Sequence, residues 1–186
     1  MTVTTIDETP ALVVIDLQKG IVARPSAHPI EDIVANSARL AAAFRTHGLP
    51  VVLVNVAGTP AGRTEGPARS REFPPDFAEL VPELDEQPTD HLVTKTTWGA
   101  FTGTPLHETL QKHGVTQVIV TGVATQFGVE STARSAHEHG YHVVLATDAI
   151  TSFDETAHNH TIRNIFPALG QSGTTDELLE LLNQSR

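Results

Sequence analysis

Three short stretches combine residue types with a placement that could do chemistry. The run Val13-Val14-Ile15-Asp16-Leu17-Gln18 ends an apolar segment on a carboxylate. Burial at such a place favours the protonated acid and readies Asp16 for proton transfer; the plainer reading is a turn cap or a partner for a basic neighbour. Lys95 opens Lys95-Thr96-Thr97-Trp98-Gly99-Ala100-Phe101. A lysine there could hold a carboxylate ionised or bind an anionic substrate, although most lysines are surface residues. The third stretch, Thr121-Gly122-Val123-Ala124-Thr125-Gln126-Phe127-Gly128-Val129-Glu130-Ser131-Thr132, leads from a strand end into a helix. A helix start points free N–H groups at whatever lies above it, which makes an oxyanion site without any special side chain. Gly122 and Gly128 do not form G-x-G-x-x-G, so a dinucleotide site is a weak reading. Gln18 could orient a substrate or Asp16 itself. Trp98, the one tryptophan, and Phe127 are preferred over Phe101 as pocket walls, against the ordinary fate of such rings as core.

Composition narrows the field. With 186 residues and no internal repeat, one domain over residues 1–186 is expected. The absence of cysteine excludes disulfides, thiolate metal sites and thiol catalysis, and fits a reducing cytoplasm. The first ten residues have neither a basic start nor an apolar core, so no signal peptide is expected. No apolar run nears the ~20 residues of a membrane helix. A net charge of −10 argues against nucleic acid as partner, less so where the ten histidines begin to charge. His137 and His139, like His158 and His160, stand two apart and cannot share an ion on one helical face. No metal and no organic cofactor is expected, because phosphate-loop, flavin and pyridoxal signatures are also missing.

The elements that must position these residues follow from the hydropathy pattern. Runs at 11–15, 51–56, 115–120 and 142–146 are short, Val- and Ile-rich and nearly continuous, as strands of a buried parallel sheet are; 91–94 is a weaker fifth. Helices are predicted over 30–47 (capped by Gly48), from Thr104 as N-cap with Pro105 in the first turn, over 126–139 (closed by Gly140), over 155–166 (stopped by Pro167) and over 175–182. Alternating strands and helices imply right-handed crossovers and a three-layer α/β/α sandwich with a mostly parallel, Rossmann-like sheet. Ligands of such sheets bind outside the carboxyl ends of the strands, where all three stretches fall. The long proline- and glycine-rich stretch at 57–75 reads as a lid, binding loop or oligomer contact.

Taken together, Val13–Gln18, Lys95–Phe101 and Gly122–Arg134, with Ala146-Thr147-Asp148-Ala149 after the fifth strand, resemble the isochorismatase-like hydrolases, also called cysteine hydrolases, over nearly the whole chain. The resemblance implies an Asp, Lys and Cys triad, in which Asp16 and Lys95 match and the cysteine position falls on Gly128. It also implies a cis peptide at Val123–Ala124 and oxyanion donors from the N–H groups of Ala124 and Gly128. Gln18, Trp98, Thr125 and Phe127 are the expected substrate contacts. Thr125, Ser131 and Thr132 are poor substitutes for the thiol, with no histidine placed to activate them. True isochorismatases resemble this chain in having glycine at that position. They cleave a vinyl ether without a nucleophile: an acid protonates the vinyl carbon, water adds to the oxocarbenium, and the hemiketal collapses.

Under that reading Asp16 is the acid and needs a raised pKa, while Lys95 pulls the other way. Isochorismate carries two carboxylates, for which Lys19, Arg24 and Lys95 are the nearby cations; Arg134 is expected to pair with Glu130. The alternatives left open are an amide or imide hydrolase using Asp16-activated water, an inactive small-ligand-binding homologue, and an engineered Cys-to-Gly variant. Some amidases of the family hold a metal through an Asp and two His after the second strand; Asn55-Val56-Ala57-Gly58-Thr59 offers no such set. The partners implied are a small-molecule substrate and a second copy in a homo-oligomer, with no membrane.

Overall fold

The computed structural model describes residues 2–65 and 73–185. Of the predicted loop at 57–75, residues 66–72 therefore lie outside the described residues. A six-stranded sheet is built from β1 (Pro10–Ile15), β2 (Val51–Val56), β3 (His91–Lys95), β4 (Gln117–Val123), β5 (His142–Thr151) and β6 (Gln171–Gly173), in the order β3-β2-β1-β4-β5-β6. All five pairings are parallel. Helices cover both faces, giving the three-layer sandwich that the alternating pattern predicts.

Continuous apolar strands bury both faces because successive side chains point opposite ways. Leu12 and Val14 enter a core with Leu40 and Phe44 of α2 (Ile30–Thr46) and Leu178 of the C-terminal helix. Val13 and Ile15 enter the other core, with Leu106 and Leu110 of α3 (Leu106–Lys112) and Ala133 of α4 (Glu130–Glu138). The C-terminal helix, Thr175–Gln184, begins in a capping box: Thr174 accepts from the Glu177 N–H, and the Glu177 carboxylate accepts from the Thr174 N–H.

Local details depart from the pattern for identifiable reasons. The strand predicted at 115–120 starts at Gln117 and continues to Val123, and its neighbour continues to Thr151, across a register shift between Val120 and Gly122. The helix predicted over 126–139 begins as a π-helical turn, Thr125–Val129, before α4. Pro167 does not stop the next helix. A π-helical turn at Thr161–Ile165 intervenes, and Pro167 sits in the first turn of Phe166–Leu169, where a missing N–H costs nothing. Helix α3 starts one residue later than expected, with Pro105 at the N-cap, and Thr104 Oγ1 accepts from Leu106 N at 3.3 Å. A four-residue helix α1 (Lys19–Val22), a 3₁₀ turn (Pro82–Leu84) and β6 carry no clear hydropathy signal.

One glycine is dictated by the backbone. Gly122 has φ +108°, and a Cβ there would lie 1.9 Å from the Ile15 carbonyl oxygen, so only glycine lets β4 approach the end of β1 this closely.

Candidate active site

The strand order reverses between β1 and β4, which opens a crevice above their carboxyl ends. Asp16 stands there as the first residue past β1. Its φ of +52° belongs to the left-handed region, and its N–H donates to Val54 O at 2.9 Å. The side chain is buried, at 6% exposure. Lys95 ends β3 on the far side of β2, and its long side chain spans the gap to donate from Nζ to Asp16 Oδ2 at 2.7 Å. A second Nζ bond goes to Thr97 O at 3.2 Å. Oδ1 of Asp16 is buried with no partner among the described residues. Burial raises the Asp16 pKa and the nearby ammonium lowers it; burial prevails and brings it to about 6.

The turn after β4 closes the crevice from the other side. The Val123–Ala124 peptide is cis. Ala124 O accepts from the N–H groups of Phe127 and Val129, at 3.0 and 3.3 Å, and so shapes the π-helical turn. Such turns recur at functional sites. A Cβ built on Gly128 would lie 2.9 Å from Ile15 Cγ2 and 3.3 Å from Asp16 Oδ2; glycine lets this turn pack closely against the end of β1. The Thr132 hydroxyl donates to Gly128 O at 2.7 Å and accepts from Ala100 N at 3.0 Å, tying this turn to the segment after β3.

Asp16, Lys95, Ala124 and Gly128 line one cavity of about 430 Å³, a size suited to a small molecule. Its apolar walls include Ile21, Phe73, Phe77, Trp98, Phe127 and Phe153. Phe73 and Phe77 stack at 4.2 Å, and Trp98 leans on Phe127 at 4.8 Å. The Arg24 guanidinium lies 3.8 Å from the centre of the Phe153 ring and also lines the cavity. Among the described residues no group of three or more His, Asp or Glu gathers where a metal could bind.

The sequence model of the isochorismatase domain matches residues 10–177, nearly all of this sheet and its helices. The chain belongs to the isochorismatase family. Among the family's curated members, the Bacillus subtilis (strain 168) protein YwoC, an uncharacterized isochorismatase family protein, is 45% identical over 91% of this chain and 92% of its own. The Escherichia coli O157:H7 protein YecD, described in the same words, is 36% identical over 94% and 97%. An isochorismatase family protein from Burkholderia thailandensis superposes with a TM-score of 0.92, at 40% identity, over 96% of this chain and 98% of its own.

In this isochorismatase-family fold Asp16, Lys95, Ala124, Gly128, Trp98 and Phe127 meet at one cavity, whereas two of the expected substrate contacts, Gln18 and Thr125, do not line it. Gln18 is fully buried beneath. Its amide donates to Val56 O and Phe77 O and accepts from Val56 N at 2.7 Å, so it fastens the wall and is not available to a ligand. The Thr125 hydroxyl donates to Thr151 O at 3.0 Å and meets His158 Nδ1 at 2.8 Å behind the turn. Burial, with His28 adjoining, drops the His158 pKa to about 4 and keeps it neutral. Phe101 belongs to the core. Lys19 pairs with Glu79 at the surface, and Arg134 pairs with Glu130 at 2.9 Å. Sequence reasoning missed Ile21, Phe73, Phe77 and Phe153, which reach the cavity from loops and the short α1. No helix among the described residues is long and apolar enough to cross a membrane.

Proposed function

We propose that the chain hydrolyses a small-molecule vinyl ether with Asp16 as general acid and without a covalent intermediate. One observation carries this reading: the buried Asp16 carboxyl at the cavity has an unpartnered Oδ1, directly beside a Gly128 that offers no nucleophile. The conflict between burial and Lys95 ends with the pKa near 6, so a useful fraction is protonated at neutral pH.

In the forward step the Asp16 proton forms a new C–H bond at the terminal vinyl carbon, and positive charge spreads onto the ether oxygen. The Asp16 carboxylate left behind stays paired with Lys95. Water adds to the cationic carbon and returns a proton to Asp16. The hemiketal C–O bond to the former ether oxygen then breaks as the hydroxyl proton passes to that departing oxygen, giving a ketone and the free alcohol. The N–H groups of Ala124 and Gly128 are assigned to a substrate oxygen. A second reading rests on the same pKa: above it Asp16 is a base able to activate water toward an amide or imide.

Proton NMR of the purified chain tests both. The substrates are isochorismate, an enolpyruvyl ether of an uncharged cyclic alcohol and a panel of small amides, with Asp16→Asn in parallel. Pyruvate formed by the wild type alone supports the vinyl-ether reading. Loss of amides alone replaces it with activated water, and binding without turnover of any of them overturns both.

A further inference from the structure

Among the described residues the charged ones that line the cavity are Asp16, Lys95 and Arg24. Lys95 is committed to Asp16 at 2.7 Å, and above the Asp16 pKa of about 6 that pair has no net charge. Arg24 differs: among the described residues no carboxylate pairs with it, and its guanidinium lies against Phe153. An arginine stacked on a ring keeps its N–H edge free, and that planar fork matches a carboxylate. Most of the remaining described wall is ring and aliphatic surface, from Ile21, Phe73, Phe77, Trp98, Phe127 and Phe153, with Thr59 and Thr97 as its uncharged polar side chains. The described cavity therefore supplies one net positive charge above a largely apolar chamber.

We infer that the site selects a monocarboxylate with an uncharged, apolar, ring-sized body, and that Arg24 is the residue that binds its carboxylate. A second carboxylate would enter the chamber with no described cation to meet it, and desolvating an unpaired charge is costly. The inference rests on the proposed function in placing substrate in this cavity, and it narrows that function to enol ethers whose alcohol half is uncharged.

The test uses binding, so it does not depend on turnover. Trp98 is the only tryptophan, lines the cavity and is 45% exposed, so its fluorescence reports occupancy. The probes are cyclohexanecarboxylate, cyclohexanecarboxamide and cyclohexane-1,3-dicarboxylate, which do not absorb at the excitation wavelength. The carboxylate should bind about tenfold more tightly than either of the others, as one charge-assisted contact at a partly exposed arginine implies. Arg24→Gln should abolish that preference while the carboxamide, which owes nothing to the guanidinium, binds both forms alike and shows the chamber intact. Arg24→Lys should keep part of the preference. Equal affinity for carboxylate and carboxamide, tighter binding of the dicarboxylate, a preference that survives Arg24→Gln, or no response to any probe at millimolar concentration overturns the assignment. The two claims separate in the wild type itself: selective binding with no turnover of any enol ether defeats the proposed chemistry and leaves this inference standing.

Discussion

Two ion pairs of the same length show how differently this fold treats charge. Arg45 meets Asp90 at 2.7 Å between α2 and the segment entering β3, and Lys95 meets Asp16 at 2.7 Å above the sheet. In the first pair every oxygen is engaged. Arg45 Nε and Nη2 donate to the two Asp90 oxygens, Gln87 N adds a third bond at 2.9 Å, and Arg45 Nη2 also reaches Leu84 O. In the second pair Asp16 accepts through Oδ2 only, and Oδ1 has no partner among the described residues. Distance alone does not separate them; the open valence does. A saturated pair locks two segments together, whereas the Asp16 pair leaves one buried carboxyl oxygen without a partner among the described residues, which is the feature the proposed chemistry uses.

The sharpest way to break this comparison is to neutralise each acid in turn. Asp16→Asn should lower kcat by a factor of about 10²–10⁴, the usual worth of a general acid, read as pyruvate release by NMR. Asp90→Ala should leave kcat within error and instead cost about 3 kcal/mol of stability, because it strands Arg45 in a largely buried site. For a chain of this size that is a fall in Tm of roughly 10 °C in a thermal melt.

Smaller effects follow from the titration of Asp16. With its pKa at about 6, kcat/KM should be level in more acid solution and fall tenfold per pH unit above it. Activated water gives the opposite limb, rising with pH until about 6. The same group marks stability. Its folded pKa lies above the ordinary value of 3.8, so its contribution is fully present below that value and is lost as pH rises through about 6. The loss amounts to about 3 kcal/mol, seen in urea melts against pH, and Asp16→Asn should remove that slope. Lys95→Met takes away the one charge that lowers the Asp16 pKa, so the falling limb of the rate profile should move to higher pH. A lysine with a purely structural role would change the height of the profile and leave its midpoint in place.

The sheet was legible because its strands are buried on both faces and read as unbroken Val and Ile runs. β6 was not, since Gln171–Gly173 is three residues held by pairing with β5 and contains no apolar signal. The floor of the site was legible for a related reason: Asp16 and Lys95 end strands, and strand ends are where such sheets bind. The walls were not. Phe73, Phe77 and Phe153 enter from loops whose course depends on tertiary contacts, and a lone phenylalanine in a loop looks like any other. Gln18 and Thr125 sit at site-like positions, yet their polar groups are bound to the backbone beneath the cavity and behind the turn. Only the pairing of backbone groups across distant segments decides that, and sequence spacing does not contain it.

Gly122 and Gly128 look interchangeable in the sequence and are opposites in what descent can do with them. At 122 a side chain would strike the Ile15 carbonyl of the backbone, so no neighbouring adjustment makes room. At 128 the nearest obstacle is a methyl group of Ile15, and beyond it stands the Asp16 carboxylate. A side chain at 128 would therefore have to displace a side-chain methyl and would stand against a buried acid, whereas at 122 the main chain itself would have to move.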